Sequence, residues 1–359
     1  MAGPVGWPAR NRTVNAAPPA VTPSTHPFDH LTPQAVLDAL DSVGLRGDGR
    51  LLQLNSYENR VFQVMLEDGG AVVAKFYRPG RWSDAQIAEE HDFAAELKAA
   101  EVPVVAPLPL ADGTTLGHAL LDGQPFRLAA YPMRSGHGPE LEDLPTLRWL
   151  GRFIARLHRV GERRQFLHRR TINASTFGHT PLARLLALDL IPAAQRDAFE
   201  SVCRQALARV DAAMAAVPTQ PLRLHGDCHP GNILWRDEGD RGGPQIVDLD
   251  DAVTGPAIQD LWMLLSGDAA AMRSQMAAVL QGYRQFRAFD TRELALIEPL
   301  RTLRMLHHSA WLAERWDDPA FPIAFPWFGT AGYWGQQTTQ LREQIEAMAQ
   351  PPLDLDWLD

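Results

Sequence analysis

His-Gly-Asp-Cys-His-Pro-Gly-Asn, residues 225–232, is the most informative segment of this chain. Residues 246–251, Ile-Val-Asp-Leu-Asp-Asp, follow after a short apolar segment and a turn. Asp227 and Asn232 lie five positions apart in a loop that contains Gly and Pro, and Asp248 follows sixteen positions later, at the end of an apolar run. The two apolar segments are predicted to pair as a β-hairpin, which would bring Asn232 and Asp248 close together.

These side chains suit the chemistry of phosphoryl transfer. That reaction needs alignment and charge neutralisation more than covalent catalysis. A carboxylate near the nucleophile can accept its proton, and this role fits Asp227. Amide and carboxylate oxygens are hard ligands suited to Mg²⁺, which bridges phosphates and keeps several water ligands. Asn232 and Asp248 therefore fit as metal ligands.

A lysine and a glutamate upstream are candidates for binding the nucleotide. A lone lysine in a strand usually faces solvent, but the apolar neighbours of Lys75 in residues 72–76 leave room for a functional one. A capping-box spacing at Ser83 predicts the start of a helix. On that helix Glu90 lies on the core-facing side, where it needs a cation, and Lys75 is the obvious one. Glu89 is the second choice as the partner of the lysine.

The hydrophobic pattern changes along the chain from strand-like to helical. Residues 1–28 are rich in proline and are predicted to be a disordered tail. Residues 29–132 begin with a short amphipathic helix from Pro33 to Gly44, and short β-runs follow, including one at 102–106, with the helix after Ser83 inserted among them. Helical spacing dominates residues 133–359, apart from the hairpin. We predict an α+β protein with a small β-rich amino-terminal lobe and a larger α-helical carboxy-terminal lobe.

Composition narrows the class of protein. The 359 residues carry a formal net charge of −9, with 45% apolar and 21% charged residues, which indicates a globular protein and argues against binding to nucleic acid or an anionic membrane. Two cysteines, Cys203 and Cys228, cannot form a disulfide scaffold. The sequence contains no apolar run typical of a secretory signal or a membrane span. We therefore expect a cytoplasmic protein, and a monomer because no coiled-coil heptads appear.

Lys75, the helix glutamate, the loop His-Gly-Asp-x-His-x-x-Asn and the following aspartate together resemble the aminoglycoside phosphotransferase/choline kinase group of protein-kinase-like enzymes. Within that group, the chain is more similar to the bacterial stress response kinase A family of Ser/Thr protein kinases. The stretches that carry the second resemblance extend over residues 30–355 and are 54–61, 75–79, 224–235, 247–251, 255–262 and 318–322.

The resemblance implies a bilobal protein-kinase-like fold that uses ATP and Mg²⁺ to phosphorylate a Ser/Thr hydroxyl on protein in bacterial stress response. It also implies a role at each matching position: Asp227 as proton acceptor, Asn232 and Asp248 as Mg²⁺ ligands, Ser56 over the ATP phosphates, Lys75 paired with the phosphates and Glu90, Tyr131 to Met133 as the backbone at adenine, and Asp260 as a brace beneath the catalytic loop. Residues 55–60 contain no glycine, so this loop must cover the phosphates with side chains and backbone N–H groups.

Other functions are compatible with parts of this pattern. A small-molecule kinase with a choline-like or aminoglycoside-like hydroxyl substrate shares the same fold and motifs, and a non-catalytic nucleotide-binding regulator is a third hypothesis. Residues 248–250, Asp-Leu-Asp, also resemble the first motif of haloacid-dehalogenase-type phosphatases. His225, Asp227 and His229 alternate in a way that can suit a zinc site, although no clear further ligand is present.

Two clusters have both a structural and a functional interpretation. The arginines at 159, 163, 164, 169 and 170 are predicted to form a solvated helix end, with a dock for an acidic substrate as the alternative. Eight aromatic residues between Trp311 and Trp334 are predicted to be mostly core, with part of them lining the substrate cleft.

Overall fold

The computed structural model describes residues 26–237 and 242–355. The amino-terminal lobe is built on one antiparallel sheet with the strand order β1-β2-β3-β5-β4. The strands are β1 (Gly47–Leu54), β2 (Arg60–Leu66), β3 (Ala71–Phe76), β4 (Gly117–Leu121) and β5 (Gln124–Pro132). Helix α1 (Pro33–Ser42) contacts β1 and β4, and helix α2 (Asp84–Ala99) lies between β3 and β4 in the chain. The capping box predicted at Ser83 is present at the start of α2.

Alternation along β3 selects which of its side chains reach the space between the lobes. Val72, Ala74 and Phe76 are buried in the core of the amino-terminal lobe. Because successive side chains on a strand point to opposite faces, Val73 and Lys75 point the other way, and both line the cleft between the lobes. The period of the strand therefore places the lysine in the cleft.

The carboxy-terminal lobe is mainly helical. Its helices are α3 (Leu144–Gly161), α4 (Thr180–Ala187), α5 (Ala193–Ala216), α6 (Gln259–Trp262), α7 (Ala269–Tyr283), α8 (Ile297–Glu314), α9 (Ala320–Ala324) and α10 (Ala331–Ala347). Two short antiparallel pairs lie between α5 and α6 in the chain: β6 (Leu222–Leu224) with β9 (Val253–Gly255), and β7 (Ile233–Arg236) with β8 (Gly243–Ile246). The predicted α+β architecture with two lobes is confirmed. None of the helices described is both long and apolar enough to cross a membrane.

Helices α3 and α7 cross with their backbones in contact. A Cβ atom on Gly151 would lie 1.9 Å from the carbonyl oxygen of Val279, and one on Gly282 would lie 1.8 Å from that of Arg148. No side chain larger than hydrogen fits at either position. This contact fixes the position of α3 against α7.

Residues 102–106, predicted as a strand, form only a single bridge between Val104 and Ile246. Their backbone bonds to β8 rather than to the five-stranded sheet, with Val105 N donating to the Ile246 carbonyl oxygen at 2.9 Å. An apolar extended run predicts β-structure without specifying its partner, and here the partner is in the other lobe. The segment therefore ties the two lobes together.

Of the tail predicted for residues 1–28, the structure describes residues 26–28. Pro27–His30 forms a 3₁₀ turn, and Phe28 is buried beside Phe126 with ring centroids 6.3 Å apart. The Arg60 guanidinium lies over the Phe28 ring at 4.3 Å. A single aromatic side chain anchors this part of the segment, while residues 1–25 lie outside the described residues.

Candidate active site

A cleft of about 1280 Å³ lies between the lobes. Leu54, Val61 and Val73 line it from the amino-terminal lobe, and Leu234 and Val247 line it from the carboxy-terminal lobe. Apolar side chains contributed by two lobes form a slot suited to a flat, largely apolar ring.

The residues expected to contact adenine lie at the edge of this slot, where β5 ends. Tyr131, Pro132 and Met133 all line the cleft. The Tyr131 hydroxyl lies 3.1 Å from that of Tyr77, so its phenol is directed into the lobe. The Met133 carbonyl oxygen accepts a hydrogen bond from the Arg134 guanidinium at 3.3 Å.

The loop that contains Asp227 is held from beneath by a buried carboxylate. Asp260 is fully buried and accepts hydrogen bonds from the backbone N–H groups of His225 and Gly226, both at 2.8 Å. His158 Nε2 lies 3.1 Å from the same carboxylate. Burial lowers the pKa of His158, which keeps its ring neutral at neutral pH. Asp260 therefore braces the loop, as the resemblance implied.

Gly226 allows the sharp turn that directs the next residue into the cleft. Its φ is +85°, in the left-handed region, and a Cβ atom there would lie 2.3 Å from the carbonyl oxygen of Asp251. Gln259 Nε2 donates to the Gly226 carbonyl oxygen at 2.9 Å. Steric space and hydrogen bonds together fix the position of Asp227.

Replacing Asp260 with alanine is expected to lower the free energy of unfolding by about 3 kcal/mol or more, because two backbone N–H groups and the buried His158 ring lose their acceptor. Urea denaturation followed by circular dichroism measures the change. Asp260→Asn retains one acceptor oxygen and is expected to lose less. Wild-type stability of the alanine variant would show that this carboxylate does not brace the loop.

Asp227 presents its carboxylate to the cleft beside two potential cations. Its Oδ1 lies 2.6 Å from Arg304 Nη1, and its Oδ2 lies 3.5 Å from His229 Nε2. Burial would raise the pKa of Asp227, but hydrogen bonding to His229 and the charge of Arg304 lower it below its ordinary value. The carboxylate is therefore ionised at neutral pH, and Oδ2, which has only the longer contact, can accept a hydrogen bond from a hydroxyl group.

Asn232 and Asp248 present oxygen atoms to the same cleft, because the predicted hairpin forms with Ile233 opposite Ile246. Asn232 Nδ2 donates to the Asp227 carbonyl oxygen at 2.9 Å, which leaves Oδ1 available to a cation. Asp248 has a φ of +59°, and its side chain is 52% exposed. This left-handed conformation is uncommon for a residue other than glycine, and here it occurs at a side chain that lines the cleft. Amide and carboxylate oxygens are suitable Mg²⁺ ligands, so the two residues fit a divalent cation.

Lys75 connects the amino-terminal sheet to carboxylates of the other lobe. Its Nζ lies 3.0 Å from one oxygen of Asp248 and 3.0 Å from one oxygen of Asp250. Burial would lower the pKa of Lys75, but the carboxylates of Asp248, Asp250 and Glu90 raise it well above its ordinary value. Lys75 is therefore charged at neutral pH and placed at the cleft.

The direct ion pair expected between Lys75 and Glu90 is not formed in this structure. Glu90 is buried on the core-facing side of α2, as predicted, but its ion pair is with Arg169, at 3.7 Å. Burial raises the pKa of Glu90 to about 7, although the nearby Lys75 and Arg169 charges oppose the shift. Two carboxylates of the carboxy-terminal lobe lie closer to Lys75 and take the place expected for Glu90.

Glu89, the second choice as the lysine partner, has a different role. Its carboxylate accepts hydrogen bonds from the backbone N–H groups of Leu167, His168 and Arg169 at 2.6, 2.8 and 2.9 Å. Glu89 thereby anchors α2 to the segment that follows α3.

Asp250 is a central residue that the sequence interpretation left without a role in the site. It is 3% exposed, pairs with Lys75 and Arg81, and accepts a hydrogen bond from Asn59 Nδ2 at 3.2 Å. Burial would raise the pKa of Asp250, but the Arg81 and Lys75 charges lower it below its ordinary value. The available signal was the run of acids in 248–251, of which only the first was assigned.

The phosphatase and zinc alternatives find no support in this geometry. Residues 249–251 form a 3₁₀ turn after a two-stranded antiparallel ladder, whereas the phosphatase motif requires an α/β sheet around it. Both nitrogens of the His225 ring have hydrogen-bond partners, the Val247 carbonyl oxygen at 3.0 Å and the Asp227 backbone N–H at 3.2 Å, so neither is free to bind a metal ion. Within residues 26–237 and 242–355, no three His, Cys, Asp or Glu side chains come together as metal ligands.

The glycine-free loop 55–60 is attached to the carboxy-terminal lobe by its own side chains. Glu58 pairs with Arg315 at 2.6 Å and accepts a hydrogen bond from the indole N–H of Trp311. Ser56, on the same loop, lines the cleft. These contacts hold the loop at the cleft without glycine.

A second attachment involves the Asp-Pro-Ala-Phe-Pro stretch at 318–322. Asp318 is buried and pairs with Arg60 at 3.2 Å, Arg78 at 2.7 Å and His26 at 3.4 Å. The carboxylate thus gathers side chains from the amino-terminal lobe onto the carboxy-terminal lobe. In the sequence, residues 318–322 were noted only as part of the family resemblance. The structure shows that their aspartate holds the two lobes together.

The arginine cluster predicted as one solvated helix end separates in the structure. Arg164 is exposed, as predicted, but Arg169 is 5% exposed, and its side chain donates to backbone carbonyl groups. Arg170 lies in the cleft, with its guanidinium 5.0 Å from the Trp82 ring and 5.3 Å from the Phe177 ring. The prediction was wrong for these last two residues, because they follow α3 and turn toward the other lobe.

Comparison with known proteins extends these observations. A model of the phosphotransferase enzyme family matches residues 50–297. Stress response kinase A of Escherichia coli O157:H7 is 45% identical over 332 residues, which cover 92% of this chain and 98% of that protein. Serine/threonine protein kinase RdoA of Salmonella typhimurium is 45% identical over 334 residues, which cover 91% of this chain and 97% of that protein.

Solved structures share the fold. Amicoumacin kinase hAmiN, in complex with AMP-PNP, Ca²⁺ and Ami, has a TM-score of 0.71 at 20% identity and covers 92% of this chain and 98% of its own. A microcompartment-associated aminopropanol kinase has a TM-score of 0.67 at 18% identity, with 88% and 96% covered. At these identities, the similarity establishes the fold alone.

Proposed function

Because the chain belongs to the phosphotransferase enzyme family, and is a kinase, we propose that it transfers the γ-phosphoryl group of ATP to a serine or threonine hydroxyl on protein, with Mg²⁺ as the metal ion. The observation that carries this proposal is the convergence of Lys75, Asp227, Asn232 and Asp248 in one cleft. The names of the bacterial relatives support a protein acceptor and a role in stress response. The nucleotide analogue and Ca²⁺ bound by a structural neighbour agree with ATP and a divalent cation.

In this proposal the nucleotide occupies the inner part of the cleft. The apolar slot takes the adenine, whose edge meets the backbone of Tyr131 to Met133. Lys75 binds the phosphates, and Ser56 covers them from the loop. Glu90 stabilises the charged form of Lys75 from a distance, through the electrostatic interaction of the two buried groups, because the two do not form a direct ion pair.

Asn232 and Asp248 would hold Mg²⁺, because their oxygens face the cleft beside Lys75. The metal ion, when bound, neutralises phosphate charge and aligns the phosphates for in-line transfer. The protein prepares this site by tying the Asn232 amide nitrogen to the loop backbone and by holding Asp248 in its left-handed conformation. The hairpin keeps the two side chains in register.

Asp227 orients the acceptor hydroxyl and receives its proton. The hydroxyl donates a hydrogen bond to Oδ2, while Arg304 keeps Oδ1 in place. As the hydroxyl oxygen bonds to the γ-phosphorus, the bond to the departing ADP oxygen breaks and the proton passes to Asp227. Because the pKa of Asp227 is lowered, orientation precedes proton transfer, which fits a loose transition state.

Transfer of radiolabelled γ-phosphate from ATP-Mg²⁺ to dephosphorylated casein tests the proposal, with choline and an aminoglycoside as parallel acceptors. Phosphoamino-acid analysis of the casein is expected to give phosphoserine or phosphothreonine. Much faster transfer to choline or the aminoglycoside would replace the proposal with a small-molecule kinase. The absence of any ATP turnover, including hydrolysis, would favour a nucleotide-binding regulator. That the chain is a cytoplasmic monomer that binds neither nucleic acid nor membrane remains a prediction.

A further inference from the structure

Four arginines line the part of the cleft around and beyond Asp227: Arg170, Arg184, Arg304 and Arg315. The carboxylates of Asp227, Asp251, Glu58 and Glu314 line the same cleft. The charge offered to an acceptor therefore depends on which of the arginines these carboxylates neutralise.

Three aromatic rings at this end are already covered by cations of the protein. The Arg170 guanidinium lies 5.0 Å from the Trp82 ring and 5.3 Å from the Phe177 ring. The Arg315 guanidinium lies 5.3 Å from the Trp311 ring. Binding of a quaternary ammonium group depends on access to open aromatic faces. These three rings therefore do not form a cage for a choline-like acceptor.

Three of the four arginines pair with a carboxylate: Arg304 with Asp227, as described above, and two others at the rim of the cleft. Arg184 pairs with Glu314 at 2.6 Å, and Arg315 pairs with Glu58 at 2.6 Å. These pairs belong to the rim of the cleft and to the attachment of the loop at 55–60. They leave little charge for a ligand.

Arg170 is different, because none of the ion pairs in the described part of the chain includes it. The charge of Asp251 acts on Arg170 from a longer distance, but that carboxylate is paired with Arg81 at 2.6 Å. Arg170 is half-buried, and its polar contact is with His307 Nε2 at 3.5 Å. Burial lowers the pKa of His307 to about 3, so this ring is neutral at neutral pH and accepts from the arginine. A half-buried guanidinium held between two rings, whose nearby carboxylate is already paired with another arginine, is suited to an anion supplied from outside.

Arg304 presents a second cation beside the reacting position. Its Nη1 contacts Asp227, and its side chain is 42% exposed toward the cleft. A guanidinium carries five N–H donors, so contact with one carboxylate oxygen leaves others for a ligand. Arg304 and His307 lie one turn apart on α8, and His307 contacts Arg170, which places the two arginines on the same side of the acceptor position.

We infer that the acceptor is an anionic segment, a serine or threonine flanked by acidic residues, whose negative charge is bound by Arg170 and Arg304. This inference rests on the proposed kinase function and specifies its substrate class. A small hydroxy acid carries the same chemistry. The proposed transfer to a serine or threonine on protein selects the peptide, and the experiment below distinguishes the two sources.

The test compares peptides of one length with a single serine and either Asp/Glu, Asn/Gln or Lys flanks, with glycerate as a small hydroxy-acid acceptor. The full-length protein is expected to phosphorylate the acidic peptide with a kcat/KM at least about tenfold above that of the neutral one, because charge-assisted contacts are gained. The basic peptide is expected to be poorer still. Equal efficiency for the three peptides, or a preference for the basic one, would overturn the inference.

Substitution of Arg170 tests whether the preference for acidic peptides arises in the cleft. Arg170→Gln is expected to lower the acidic-to-neutral ratio of kcat/KM by about tenfold, and Arg170→Lys to restore part of it. Arg204→Gln is the matched control, because Arg204 lies on α5, 68% exposed and paired with Glu200, and is expected to leave the ratio unchanged. An unchanged acidic-to-neutral ratio of kcat/KM in Arg170→Gln would show that Arg170 does not bind the acidic residues of the peptide.

The outcomes separate this inference from the proposed function. Phosphorylation of all three peptides without preference contradicts only the substrate class. Faster phosphorylation of glycerate than of the acidic peptide would show that the acceptor is anionic but is a small hydroxy acid rather than a peptide, which overturns the inference. Absence of transfer to every acceptor, together with absence of ATP hydrolysis, contradicts the proposed function itself. If Arg170→Gln does not fold, the preference of the wild-type protein among peptides still decides.

Discussion

Replacing Asp227 with asparagine is expected to slow phosphoryl transfer by about 10²–10⁴-fold while ATP binding is retained. Asparagine keeps the size of the side chain but cannot receive the proton of the acceptor hydroxyl. Asp227 pairs with Arg304 and His229, whereas the proposed phosphate ligand Lys75 pairs with other carboxylates, so nucleotide affinity does not depend directly on this residue.

The measurement has two parts. Initial rates with labelled ATP give the loss of transfer, and calorimetric titration with AMP-PNP and Mg²⁺ gives the nucleotide affinity. A variant that transfers phosphate at the wild-type rate would remove Asp227 from the mechanism. Loss of both transfer and nucleotide binding would point to a structural effect of the Arg304 contact instead.

Replacing Asp248 with asparagine is expected to reduce transfer by about 10²-fold or more and to raise the Mg²⁺ concentration needed for half-maximal rate. The substitution removes a charged oxygen from the proposed metal site and one of the two carboxylates close to Lys75. Rates measured over a range of Mg²⁺ concentrations separate metal affinity from the maximal rate.

Asp211→Asn provides a matched control for this second variant. Asp211 lies on α5 with its side chain 50% exposed, close to the 52% of Asp248, and contacts His179 at 3.0 Å. Its substitution is expected to leave the Mg²⁺ dependence unchanged. An Asp248→Asn variant with the same Mg²⁺ dependence as this control would exclude Asp248 as a metal ligand.

Local patterns in the chain predicted much of the architecture and the assembly of the loop. The capping box at Ser83 and the apolar run around Lys75 each form the predicted element. The hairpin that joins Asn232 to Asp248 is also present, because short-range apolar pairing is set by residues close in sequence. Asp260 was assigned by resemblance and lies where expected.

Pairing between charged groups was predicted less well. Lys75 was predicted to pair with Glu90 because a core-facing glutamate needs a cation. In the structure, Lys75 pairs with two nearer carboxylates, those of Asp248 and Asp250. Arg170, interpreted as part of a solvated helix end, lies in the cleft. Ionic partners depend on distances between segments far apart in the chain, and no periodicity encodes those distances.

Elements and loop chemistry thus follow from neighbouring residues, since periodicity, capping and turn preferences act over a few positions. The contacts that close the cleft cannot be predicted from neighbouring residues. Glu58 meets Arg315 across more than 250 positions, and Arg78 meets Asp318 across 240. These contacts, and the arginine left without a carboxylate at the acceptor end, arise only when the two lobes pack, because packing determines which charges are neutralised within the protein and which remain for a ligand.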